Sequence, residues 1–109
     1  MKKTVLTALA ALMIASPAAA FDGVYGETCV PDGDIVPMTI QGDMILFYES
    51  QCRMTNPVNV RDMEGAVLFD LQCEGEGETW VDRALLQPSW DGGLIYVTRG
   101  FASMLPRCE

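Results

Sequence analysis

The chain has 109 residues, fifteen of them acidic against seven basic, no histidine, and a formal net charge of −8. The missing histidine removes the commonest general base and the commonest metal ligand. The acidity argues against nucleic acid or anionic lipid as a partner, since both repel a negative surface.

Residues 1–20 read as a secretory signal peptide. Lys2 and Lys3 form a positive start, Val5 to Ala15 is apolar apart from Thr7, and Ser16-Pro17-Ala18-Ala19-Ala20 ends in an Ala-x-Ala cleavage pattern. The apolar run is shorter than the roughly 20 residues that a membrane-spanning helix needs. No cysteine follows it closely enough for lipid attachment, and no membrane insertion is expected once it is removed. Cleavage before Phe21 leaves one domain, residues 21–109, with five arginines, fifteen acidic side chains, no lysine and a net charge of −10. The expected location is the periplasm or the cell exterior.

Four cysteines, Cys29, Cys52, Cys73 and Cys108, fall in that domain. An even count in an oxidising compartment reads as two disulfides. Without Cys-x-x-Cys spacing or histidine, zinc has no ligand set. A domain of this size buries only about 60–65% of its unfolded surface, so two bridges worth ~2–4 kcal/mol each are a large share of a stability of about 5–15 kcal/mol.

Glycine and proline punctuate the domain about every eight to twelve residues, and the runs between them are rich in Val, Ile, Phe and Tyr, the pattern of a small antiparallel β domain. Gly23 to Thr28 is a first strand. Pro31-Asp32-Gly33-Asp34 is a turn. Ile35 to Gln41 is a second strand, and Gly42-Asp43 is a tight connection. Met44 to Met54 reads as one long strand, bent near Glu49-Ser50, with Leu46, Tyr48, Ser50, Cys52 and Met54 on one face by the period of two. Pro57 marks an edge or irregularity. Ala66 to Cys73 is a clear strand whose inward set is Val67, Phe69, Leu71 and Cys73. Folding the chain about Arg61 to Glu64 places Val58 opposite Val67, Met54 opposite Leu71 and Cys52 opposite Cys73.

That register favours a Cys52–Cys73 bridge and leaves Cys29–Cys108 to tie the first strand to the chain end. The alternative, Cys29–Cys52 with Cys73–Cys108, stays open, because sequence does not determine connectivity. Glu78 to Gln87 is a strand of ambiguous facing, with Trp80, Ala84 and Leu86 on one side and Val81 and Leu85 on the other. Leu94 to Thr98 and Phe101 to Arg107 complete seven or eight strands. A meander closing into a small barrel, or nearly so, is the simplest arrangement, since closure removes exposed edges. Its interior should be filled by side chains.

The stretch Cys73-Glu74-Gly75-Glu76-Gly77-Glu78-Thr79-Trp80 is the one place where specific chemistry suggests itself. Glu74, Glu76, Glu78 and Glu49 are the carboxylates available for a paired-acid mechanism. With no histidine and no lysine in the domain, and little chain left to form a substrate cleft, a catalytic role is not expected. Calcium accepts carboxylate ligands, but alternate positions on an extended chain point the same way and do not encircle an ion. No cofactor is expected. A charged hairpin loop that discourages aggregation is the plainest role for the stretch, and Glu49, Glu74, Glu76, Glu78 and Trp80 are the candidate binding surface. Tyr25, Tyr48, Trp80, Trp90, Tyr96 and Phe101 are a second candidate for an aromatic face, each more simply placed in the core.

Tyr48-Glu49-Ser50-x-Cys52, Cys73-x-Gly75-Glu76-Gly77-Glu78-x-Trp80 and the terminal Arg107-Cys108 resemble a group of small exported proteins of alphaproteobacteria. The resemblance spans nearly all of the domain and implies export, two disulfides and a β fold, but no activity. Small acidic periplasmic β-barrels that inhibit lysozyme share size, export and disulfides, yet the Ser-x-x-Gly-x-Arg/Lys-Tyr loop they present is missing here.

The expectation from the sequence is therefore a non-catalytic exported protein that recognises a protein or envelope component through an acidic face. The alternatives are a structural or accessory subunit of an envelope complex and, behind it, an inhibitor of a cationic hydrolase such as lysozyme or a Ca²⁺-binding domain.

Overall fold

The structure, a computed structural model, describes residues 20–108; the signal-peptide assignment to residues 1–20 therefore falls almost wholly outside the described residues. The described chain is all-β. Its strands are β1 (Gly23–Tyr25), β2 (Met38–Gln41), β3 (Met44–Phe47), β4 (Ser50–Asn59), β5 (Val67–Gly75), β6 (Glu78–Pro88), β7 (Leu94–Thr98), β8 (Phe101–Leu105) and β9 (Arg107–Cys108). All neighbours pair antiparallel, in the order β8-β7-β6-β5-β4-β3-β2-β1-β9.

β8 and β9 are one stretch of chain broken at Pro106, which has no N–H to donate to a ladder. Before the proline it pairs with β7, and after it with β1. The Pro106 carbonyl still accepts from the Gly26 N–H at 2.9 Å. The last segment thus joins both edges of the sheet into a nearly closed barrel, as the sequence leads one to expect, and the proline accounts for the extra strand.

The interior follows the alternation of the long strands. Val67, Phe69, Leu71 and Cys73 of β5 all point inward and are buried. On β6 the facing resolves in favour of Ala84 and Leu86, while Val81 is exposed. Met38, Ile40, Ile45, Met54, Leu94 and Tyr96 complete the filling, and Phe21 packs edge-on against Phe69 with ring centroids 6.2 Å apart. Fully burying each such side chain contributes about 1.5–3 kcal/mol.

The disulfides are Cys52–Cys73 and Cys29–Cys108. Cys52 lies directly opposite Cys73 in the β4–β5 ladder, the register anticipated from parity, and the alternative connectivity does not form. Two disulfides of this kind are compatible with an extracytoplasmic protein.

Two expectations need correction. The stretch from Met44 to Met54 is not one strand. It reverses at Tyr48-Glu49, where Glu49 adopts φ 62°, and Phe47 pairs with Ser50. Neither residue is a usual occupant of a two-residue turn, so the sequence suggests a bend there but not a reversal. The reversal puts Ile45 opposite Cys52, with both buried, and turns Leu46 to the outer face. The second correction is the register beyond Thr55. A bulge at Asn56-Pro57, with Asn56 at φ 52°, shifts the pairing by one, so Val58 faces Leu68 and not Val67. A one-residue shift exchanges faces, and Val58 is exposed.

Antiparallel order sorts the connections between the ends. The β1–β2 loop, the β3–β4 turn, the β5–β6 turn and the β7–β8 turn all lie at one end of the barrel; the other three connections lie opposite. The candidate functional features gather at the first end.

Candidate acidic site and aromatic cleft

The β5–β6 hairpin turns on Glu76-Gly77, with Gly75 paired to Glu78 and φ of 53° and 82° at the two turn residues. Two consecutive left-handed residues define the tight turn whose twist matches the flanking strands; glycine takes that conformation without steric cost, and glutamate does so at some cost. The β3–β4 turn lies beside it. Gly75 touches the other hairpin so closely that a Cβ there would collide with the Glu49 carbonyl and come within 3.0 Å of the Ser50 Cα. The glycine is thus what allows the two tips to meet.

The contact brings Glu49, Glu74, Glu76 and Glu78 to the lining of one shallow groove. Gln51 Nε2 donates to Glu74 Oε2 at 2.9 Å and holds that carboxylate against β4. Glu49 raises the pKa of Glu76 above the ordinary glutamate range, first by sharing a hydrogen bond and then by its charge. Among the described residues no arginine lines this groove. Three of the five arginines are engaged elsewhere: Arg53 with Asp43 and Arg83 with Asp70, each at 2.8 Å, and Arg107 with the Tyr25 hydroxyl.

Trp80, grouped with these carboxylates in the sequence, stands beside the groove and not in it. It pairs with Cys73, is 41% exposed, and lines a neighbouring hollow with Arg53 and Gln72. Among the described residues no three His, Cys, Asp or Glu side chains converge as a metal site.

The candidate aromatics divide. Tyr25 and Tyr96 are buried, whereas Tyr48, Trp80, Trp90 and Phe101 are exposed. Four of the six, joined by Phe47, surround a cleft of about 450 Å³ at the barrel mouth, walled on one side by the β1–β2 loop. The interior is filled by side chains as expected, but the mouth above it is not. Phe47 and Tyr96 lie 6.3 Å apart at a tilt of 58°. Burial and the charge of Asp82 push the Tyr96 phenol up to about 12, so it stays neutral. Asp34 and then Glu49 hold the Tyr48 phenol above its ordinary value. Tyr48 lines the cleft and Glu49 the acidic groove, so this one turn joins the two features. The sequence identifies the aromatics, but their convergence depends on segments remote along the chain.

These features define a small, disulfide-stapled antiparallel barrel with an acidic and aromatic loop end. The chain matches no protein-family model, no curated protein and no solved structure.

Proposed function

We propose that the protein is an exported, non-catalytic binding protein of the periplasm or cell exterior, recognising a cationic protein or envelope component through the acidic hairpin tips. The observation that carries this is the closeness of Glu49 and Glu76. Two hairpins place like charges together with no arginine in the groove, an arrangement a partner's cation relieves. The signal-peptide pattern and the two disulfides support export.

The test is binding of an immobilised arginine-rich peptide, and of lysozyme as a folded cationic probe, at low and moderate salt. The triple variant Glu49→Gln/Glu76→Gln/Glu78→Gln should weaken capture on the order of tenfold and flatten its salt dependence. Equal capture by the triple variant would overturn the reading.

A second reading, an accessory subunit of an envelope complex, is favoured by apolar side chains on the outer face of the last strands, where exposed Met104 pairs with Ile95 and Leu85 pairs with Val97, since an apolar surface patch marks an interface. It predicts a stable complex that persists in high salt.

A further inference from the structure

The mouth cleft carries an inference that goes beyond the acidic tips. We propose that it binds a small organic cation, an amine or quaternary ammonium group on an apolar body, held among Tyr25, Phe47, Tyr48, Tyr96 and Phe101 with Glu27 and Asp34 as counter-charges. All seven of these residues line the cleft.

Size, chemistry and rigidity each support the assignment. A cleft of about 450 Å³ falls within the range of small-molecule sites. Aromatic faces attract cations through their quadrupole, and rings grouped around a pocket are the usual receptor for quaternary ammonium. Among the described residues, two carboxylates and no basic side chain line the space, which disfavours an anion and rewards a cation over a neutral molecule of the same shape. Arg107, which packs on the Tyr25 ring, is outside the lining and already committed. Its guanidinium lies 5.4 Å from the centroid of the Tyr25 ring and donates to the Tyr25 hydroxyl and the Asp22 carbonyl, each at 3.1 Å.

The walls are braced by covalent and backbone bonds. The β1–β2 loop is tied at its base by Cys29–Cys108, and reciprocal N–H···O bonds between Asp32 and Ile35, 2.9 and 3.0 Å long, close its hairpin. Tyr48 is presented by a two-residue turn, and Phe101 by the start of β8. A site assembled in advance loses less on binding.

Isothermal titration of the oxidised protein with benzyltrimethylammonium, its neutral isostere neopentylbenzene, and benzenesulfonate decides the matter. Saturable 1:1 binding of the cation is expected, with the neutral isostere weaker on the order of tenfold and no binding of the sulfonate. Phe101→Ala and Asp34→Asn, both at exposed positions, should each weaken the cation on the order of fivefold or more with an unchanged melting temperature. Glu76→Gln/Glu78→Gln should leave its affinity within about twofold, being screened and outside the lining. The inference is overturned by equal affinity for the neutral isostere, by indifference to Phe101→Ala and Asp34→Asn, or by no saturable binding at millimolar cation. Arginine-peptide capture that survives such a result would leave the acidic tips standing alone.

Discussion

The acidic tips and the aromatic cleft share one end of the barrel and meet at Tyr48-Glu49, yet they are built in opposite ways. Three of the four tip carboxylates lie in a single five-residue stretch, Glu74 to Glu78, and one hairpin presents them whatever the rest of the fold does. The cleft draws on the end of β1, the β1–β2 loop, the end of β3, β7 and β8. It exists only because the last strand crosses back and Cys29–Cys108 holds the loop down. Charge can be gathered locally, but a concave apolar surface requires closure.

The largest expected effects test that contrast through the disulfides. Removing either bridge should cost about 2–5 kcal/mol in urea unfolding. Cys29→Ser/Cys108→Ser, which opens a separation of 79 residues, should abolish binding of the organic cation while leaving capture of the arginine-rich peptide. Cys52→Ala/Cys73→Ala should do less to the cleft, since its bridge lies between β4 and β5. Loss of both activities in both variants would mean that the two features are one cooperative unit.

Gly75→Ala comes next. The added methyl group meets the backbone of Glu49 and Ser50, and such overpacking costs about 1–3 kcal/mol. Chemical denaturation should show the loss, and carboxyl NMR titration should show the Glu76 pKa returning towards its ordinary value as the tips separate. An unchanged titration would show that the Gly75 contact is not what couples them.

The shared turn allows a finer separation. Glu49→Gln should weaken arginine-peptide capture more than cation binding, and Tyr48→Ala the reverse, with stability changes in each case within about 1 kcal/mol for these exposed positions. Affinities measured for both variants against both probes form the comparison, and parallel losses would erase the distinction between the two sites.

The smallest effects are those of pH. Glu76 is raised in the folded state, so its contribution to stability is present below the ordinary glutamate pKa and is lost as pH rises through the raised value. Glu76→Gln should remove that loss and flatten the melting-temperature profile in the weakly acidic range. Asp70 is lowered, first by Asn56 and then by Arg83, and so has the opposite sign. Its contribution is present above the ordinary aspartate pKa and is lost as pH falls through the depressed value. Asp70→Asn should flatten the acid limb only.

Particular residues show how far the sequence could be read. Val67, Phe69, Leu71 and Cys73 alternate without interruption, so their facing and the Cys52–Cys73 bridge were both legible. The acidic run with its two glycines marked a hairpin. Tyr48-Glu49 did not, because a left-handed glutamate leaves no local signature and the turn is held by its neighbours. The misplacement of Val58 has a similar origin. Pro57 announced an irregularity, but whether a bulge adds a residue to the ladder depends on the partner strand.

The sequence by itself determined the all-β class, the inward set of β5, the cross-strand cysteine pair and the charged turn, because each rests on the period of a strand or the conformational preference of a turn. The tertiary structure alone decided the reversal at Tyr48-Glu49, the division of the last strand at Pro106, the position of Trp80 beside the groove and the convergence of four candidate aromatics on one cleft. These depend on contacts between segments distant along the chain, which close the barrel together and leave no periodic trace in any one of them.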